Sequence, residues 1–209
     1  MNRIERFSLL RTVEPKKPFN RAVKSNINPT KIILLDRDGT VNVSPGRRRY
    51  IKSEDELILI KESIEGLRLL ASRGYSFIII TNQAGVGAGH MTEDDLTAVN
   101  SRLKEEFQNH NIPLLDIICC TDHYESDSKR RKPNPTMFFE ARDRYGFSLA
   151  ETYYIGDDPR DVLAAYNAGT KSIYLGKKEL LKDFGGNLKP DHIANDMLDA
   201  AKIILNMSD

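Results

Sequence analysis

Two carboxylates stand two residues apart in "KIILLDRDGTVN", residues 31 to 42, where a short apolar run turns acidic at Asp36 and Asp38. Three further polar sets follow: Thr81, Asn82 and Gln83 in "TNQAG", Lys132 in "RRKPNP", and Asp157 with Asp158 in "GDDPRD". Together these residue types suit transfer of a phosphoryl group. A carboxylate can attack phosphorus in line and form an aspartyl-phosphate, which divides one hard hydrolysis into two easier steps. A second carboxylate nearby can protonate the leaving alcohol and later take the proton of the attacking water. Mg²⁺ held by one or two carboxylates, waters and phosphate oxygens brings an anionic substrate to an anionic nucleophile. A lysine and a threonine hydroxyl can bind the phosphoryl oxygens as charge builds on them.

Taken singly, each set also reads as ordinary structure. Asp-Gly is a common turn dipeptide, "RRKPNP" a solvated basic loop, and "GDDPRD" a helix start whose acidic residues suit the dipole. A calcium loop of the EF-hand type is excluded, because counting from Asp36 its required Gly and final carboxylate would fall on Val41 and Arg47. What decides is where the sets stand relative to the elements that would hold them.

Those elements alternate. "IILL", "YSFIII", "LLDIICC", "TYYIGD" and "SIYLG" are short apolar runs suited to strands buried on both faces, and "DHIA" adds a short sixth. Between them, Ile60, Ile64, Leu67, Leu70 and Ala71 share a helical face that Gly74 closes. Thr92 with Asp95 resembles a capping box ahead of Leu96, Val99, Leu103 and Phe107. "TMFFEARDRYG" forms a helix after Pro133 and Pro135, residues 160 to 168 another stopped by Gly169, and "DMLDAAKIILNM" the last. Strands alternating with amphipathic helices predict an α/β fold, a mostly parallel sheet with helices on both faces. In such sheets ligands bind beyond the carboxyl ends of the strands. The first, second and fourth strands run directly into polar sets, and Lys132 lies in the long segment after the third.

The composition sets limits. The chain has 209 residues, 40% hydrophobic and 29% charged, with a formal charge of +1, which fits one globular domain without a strong field for nucleic acid or membrane. Residues 1 to 30 carry seven Lys/Arg against Glu5 and Glu14 and read as a basic N-terminal extension that offers a protein contact; the folded domain is expected over 31 to 209. No run is long and apolar enough for a signal peptide or a membrane span. Adjacent Cys119 and Cys120 are poor material for disulfides and read as buried thiols, so a soluble cytoplasmic protein is expected.

"LLDRDGT", "TNQAGVGAGH", "RKPNP" and "YIGDDPRD", in this order, resemble the four motifs of the haloacid dehalogenase (HAD) superfamily of phosphatases over roughly residues 31 to 176. The resemblance implies a Rossmann-like three-layer fold without a large cap domain. It also implies Asp36 as nucleophile, Asp38 as general acid/base, and Thr81 and Lys132 as phosphoryl ligands. Mg²⁺ would be held by Asp157, the Asp36 carboxylate and the Asp38 backbone carbonyl, with Asp158 as a further contributor. Arg37, "TNQ" and the compact third motif are similar to the branch that contains heptose-bisphosphate and histidinol-phosphate phosphatases. By that likeness the expected substrate is D-glycero-D-manno-heptose 1,7-bisphosphate, a small phosphorylated sugar, and the expected state a monomer.

Asn82, Gln83, Arg47, Arg48, Arg49 and Arg131 are the candidate substrate-binding residues, the arginines able to clamp a second phosphate by paired hydrogen bonds. Relatives in this branch bind structural zinc through a Cys-x-His and a Cys-x-Cys pair ahead of the third motif. The corresponding positions here are Cys120, Asp122, Ser128 and Arg130, so no zinc is expected. His90 and the glycines of residues 84 to 89 are expected to shape the second loop and match no dinucleotide or Walker fingerprint. A polynucleotide 3′-phosphatase shares the same motifs but would show a broader basic surface and stacking aromatics, whereas this chain has no Trp. A non-enzymatic binding module fits least, since Asp36, Asp38, Lys132 and Asp157 are all present.

Overall fold

A computed structural model describes residues 28–177, 181 and 189–207; residues 1–27, nearly all of the expected extension, lie outside the described residues. Six strands are formed there: β1 (Ile32–Leu35), β2 (Ser76–Asn82), β3 (Leu114–Cys120), β4 (Tyr153–Gly156), β5 (Lys171–Leu175) and β6 (His192–Ala194). They make one sheet in the order β3-β2-β1-β4-β5-β6, with every neighbouring pair parallel. Five helices accompany them: α1 (Lys61–Ser72), α2 (Glu93–Asn109), α3 (Thr136–Tyr145), α4 (Pro159–Ala168) and α5 (Met197–Asn206).

The period-two alternation of a strand sorts the apolar residues into two cores. Ile33 and Leu35 of β1 join Phe77 and Ile79 of β2 under Ile64, Leu67 and Leu70 of α1, Phe107 of α2 and Ile204 of α5. Ile32 and Leu34 point the other way, with Ile78 and Ile80, onto Met137 and Phe138 of α3 and Ala164 and Ala165 of α4. Three layers result, as expected. Thr92 caps α2 with a full capping box through Asp95, and Gly169 ends α4 in the left-handed region at φ +75°.

The strand order reverses direction between β1 and β4, and their carboxyl ends form the crevice in which open α/β sheets bind ligands. The chain leaving β1 travels from Asp36 to Ile60 before α1 begins, with a single short 3₁₀ turn, Glu54–Glu56, on the way. Among the described residues no insertion forms a cap domain, and no helix is long and apolar enough to cross a membrane.

Candidate active site

Asp36 is the first residue beyond β1, and its amide donates to the carbonyl of Ile155 in β4 at 2.9 Å, which pins it at the reversal point. One of its carboxylate oxygens accepts from Lys132 Nζ at 2.6 Å. The same ammonium donates to the Tyr154 hydroxyl at 2.6 Å and to Asp161 Oδ1 at 2.8 Å, so its three donors are all used. Both partners at this ion pair are nearly sealed from water, with Lys132 4% and Asp161 3% exposed. Burial works against the lysine charge, but Asp161 and Asp36 outweigh it and hold its pKa above the ordinary lysine value.

Asp161 has no role in the sequence-based expectation. It stands at the third position of α4, where its other oxygen accepts from the Asp158 amide at 3.1 Å in a capping box. A capping partner at that position is legible from the spacing of Asp158 and Asp161; the ion pair to a lysine 29 residues away is not. Asp158 itself is the N-cap, accepting from the Arg160 amide at 2.8 Å and from the Arg160 guanidinium at 2.6 and 2.8 Å. Burial would raise its pKa, and these bonds to Arg160 reverse the effect and hold it below the usual value.

Asp157 is half-buried against the turn after Asp38. Gly39 adopts φ +89°, and a Cβ there would overlap the Asp157 carboxylate, so only glycine lets the first loop close against the fourth. Carboxylate oxygens of Asp36, Asp157 and Asp161 lie within 4.8 Å of one another. Desolvation, then mutual repulsion, raises Asp157 to about 8; desolvation, partly offset by Lys132, raises Asp36 to about 7. The site resists full ionisation, because three carboxylates ionised together and facing one ammonium would leave two negative charges in a sparingly solvated crevice. This is the donor chemistry of a hard divalent cation.

Thr81 and Asn82, expected after the second strand, are its last two residues, and only Gln83 lies beyond it. Asn82 Nδ2 donates to the Lys132 carbonyl at 3.1 Å, and Asn82 Oδ1 accepts from the Lys132 amide at 3.0 Å, a two-way clasp that fixes the lysine-bearing segment to β2. Thr81 is buried and accepts from Gln83 at 3.0 Å. Gln83 also donates to Asp38 Oδ2 at 2.9 Å and accepts from Arg37, so both its N–H bonds are spent inside the protein. Of the residues expected to meet substrate, Asn82 is therefore bound to the Lys132 main chain and Gln83 to the Thr81, Asp38 and Arg37 side chains.

The arginines divide. All three of Arg47, Arg48 and Arg49 are exposed, and Arg48 and Arg49 line a cleft of about 280 Å³ with Tyr50, Lys52 and His90 that Arg47 does not reach. Arg48, at φ +57°, lies 5.1 Å over the Tyr124 ring, and Tyr50 stacks on His90. Arg131 is half-buried next to Lys132, and one terminal nitrogen is buried with no hydrogen-bond partner. Burial and the nearby Arg160 charge lower its pKa.

The segment from Thr121 to Arg131 has its own fastening. Ser128 and the Cys120 thiol both donate to Asp122 Oδ2, the thiol at 3.5 Å, and the Arg130 amide donates to Ser128 at 3.2 Å. The Arg130 guanidinium pairs with Glu140 of α3 and donates to the Cys119 carbonyl at 3.0 Å. The four positions aligned above with a zinc set are thus joined by hydrogen bonds.

Comparison with known proteins places this geometry in a family. The HAD-hydrolase-like family profile matches residues 129–200. The chain is 31% identical over 184 residues to the D-glycero-D-manno-heptose-1,7-bisphosphate 7-phosphatase of Chlorobaculum tepidum, covering 81% of this chain and 92% of the relative. It is 30% identical to the D-glycero-beta-D-manno-heptose-1,7-bisphosphate 7-phosphatase of Pasteurella multocida, over 83% and 96% of the two chains. The crystal structure of the D,D-heptose 1,7-bisphosphate phosphatase of B. bronchiseptica, complexed with magnesium and phosphate, superposes with a TM-score of 0.77 at 27% identity, over 85% of this chain and 99% of the other. With its four loops gathered at the strand-order reversal, the chain belongs to the haloacid dehalogenase (HAD) superfamily of hydrolases, among its phosphatases.

Proposed function

We propose that this protein is a Mg²⁺-dependent phosphatase acting on D-glycero-D-manno-heptose 1,7-bisphosphate through phospho-Asp36. The observation that carries the chemistry is the Asp36 carboxylate, one oxygen fixed by Lys132 at 2.6 Å and the other left to attack phosphorus. A bond forms from that oxygen to phosphorus while the ester P–O bond breaks, and Asp38 delivers a proton to the departing sugar oxygen. Asp38 then takes a proton from water as the water oxygen attacks phosphorus, which frees Asp36 and inorganic phosphate. The Thr81 hydroxyl would bind a phosphoryl oxygen through both steps, and Lys132 would do the same by giving up one of its three present partners to the substrate. Asp36, Asp157 and the Asp38 carbonyl would hold Mg²⁺, whose charge neutralises the phosphoryl group. Asp158 is committed to the α4 cap and to Arg160.

The named activity of the relatives supports the heptose substrate. Arg48 and Arg49 in their cleft, with the unpartnered nitrogen of Arg131, would receive its second phosphate. A near-neutral chain suits a cytoplasmic monomer acting on a soluble sugar rather than on nucleic acid. Residues 31–209 would then be the phosphatase domain and residues 1–30 an extension for a protein contact.

The test is phosphate release, with Mg²⁺ and then with EDTA. The panel is both anomers of heptose 1,7-bisphosphate, fructose 1,6-bisphosphate, histidinol phosphate and a 3′-phosphorylated oligonucleotide. EDTA-sensitive turnover selective for one heptose anomer is expected. Preference for any other member of the panel would overturn the substrate.

Metal binding has a readout apart from turnover. Because a cation relieves the repulsion among three clustered carboxylates, Mg²⁺ at 100 times its Kd should stabilise the fold by about 2.7 kcal/mol. The thermal midpoint should rise accordingly, and Asp157→Asn should abolish the rise. A midpoint indifferent to Mg²⁺ in the unaltered protein would remove Asp36 and Asp157 as its ligands.

A further inference from the structure

Between the two reacting aspartates lies Arg37, whose side chain is wholly buried. A buried guanidinium is tolerated only where its donors are matched, and here they converge on Asp38. Arg37 Nε donates to Asp38 Oδ1 at 3.1 Å and a terminal nitrogen donates to Oδ2 at 3.0 Å, the two-pronged arrangement that fixes a carboxylate in plane as well as in distance. The same terminal nitrogen donates to Gln83 Oε1 at 3.0 Å, and the other to Asn100 Oδ1 of α2 at 3.4 Å. Gln83 then donates to Asp38 Oδ2 at 2.9 Å, and Asn42 to Oδ1 at 2.9 Å. Asp38 thus receives four hydrogen bonds from three residues, one of which must yield when it carries the proton, and 23% of its side chain still reaches solvent. A surface carboxylate needs none of this. One that must meet a leaving oxygen in one half-reaction and a water in the next needs its orientation set in advance.

We propose that Arg37 is a positioning residue for Asp38, with Gln83 and Asn42 completing the clasp. Gln83 thereby serves proton transfer instead of touching the sugar. The inference rests on the reading of Asp38 as the proton donor and acceptor of the proposed phosphatase. It locates the control of that group in a buried cation anchored to two other elements, the loop after β2 and helix α2.

Leaving-group dependence separates positioning from support of the fold. Expulsion of an alkoxide needs the proton from Asp38, whereas p-nitrophenolate leaves without it. The Mg²⁺-loaded full chain is assayed for kcat/KM, which reports through formation of phospho-Asp36, on glycerol 3-phosphate and on p-nitrophenyl phosphate. Arg37→Met should lower kcat/KM about 100-fold on the alkyl ester and less than about 3-fold on the aryl ester, the scale of general acid catalysis. Should loss of the buried cation prevent folding, Gln83→Met removes one bond to Asp38 at similar volume and should show the same asymmetry at about 10-fold. Equal losses on both esters, or none, in the variant that folds would overturn the proposal. Asp38→Asn is the control: an alkyl-selective fall upholds the proton-transfer reading, and its absence would remove that reading and the positioning role with it.

Discussion

Asp36→Asn is expected to lower phosphate release by about 10⁴-fold or more while the protein stays folded, because a covalent nucleophile has no substitute within the site. The amide is isosteric, and Lys132 keeps Tyr154 at 2.6 Å and Asp161 at 2.8 Å. Burial already pushes the Asp36 carboxyl up to about 7, so its charge is held at a disadvantage and removing it relieves repulsion from Asp161. Turnover and thermal melting measured on the same preparation should therefore separate: activity lost, midpoint within a few degrees of the parent. Substantial activity retained by the Asp36→Asn protein would end the phospho-aspartate mechanism.

Lys132→Met should fail in both measurements. Methionine fills the space but leaves Asp36 and Asp161 facing one another in a crevice almost closed to water. Removing one partner from a buried ion pair costs about 3–5 kcal/mol, because the remaining charge is stranded. Denaturant titration should show a loss of that size, and turnover should drop at least about 10³-fold with the phosphoryl contact gone. The double variant Lys132→Met with Asp161→Asn tests the cause. If stranded charge is responsible, it recovers at least half of the lost stability and none of the activity. A double variant no more stable than the single one would mean that stranded charge on Asp161 is not the cause.

These outcomes depend on residues that sequence and structure reveal unequally. The sheet is legible because "IILL" and "YSFIII" can be buried on both faces only between two layers of helices, and the alternation of Ile32 and Leu34 against Ile33 and Leu35 does sort them so. Thr92 with Asp95 and the glycine at position 169 announce their helix ends through local chemistry, which is why they read correctly. Asp36, Lys132 and Asp157 stand in loops beyond their strands as expected, whereas Thr81 lies inside β2, which runs on to Asn82. What spacing cannot convey is partnership across the sheet. The clasp of Asn82 on the Lys132 backbone spans 50 residues, and Gln83 reaches Asp38 over 45. Arg37 looks like any charged residue in a turn until its burial is known. The three consecutive arginines are equivalent as text, and it is the turn through Gly46 and Arg48, both at positive φ, that sends two of them to the cleft. The segment before Lys132 shows in sequence only what it has replaced; its joining of Asp122, Ser128 and Cys120 needs three dimensions.

The two oxygens of Asp161 answer to different masters: one starts a helix, the other neutralises a lysine. Screening a variant library for soluble expression would therefore conserve Asp161 and Lys132 without any substrate being offered, while Asp36, whose replacement by asparagine leaves Lys132 still held by Tyr154 and Asp161, could drift unseen. Foldedness in this protein certifies the lysine and its helix-capping aspartate and is silent about the proposed nucleophile.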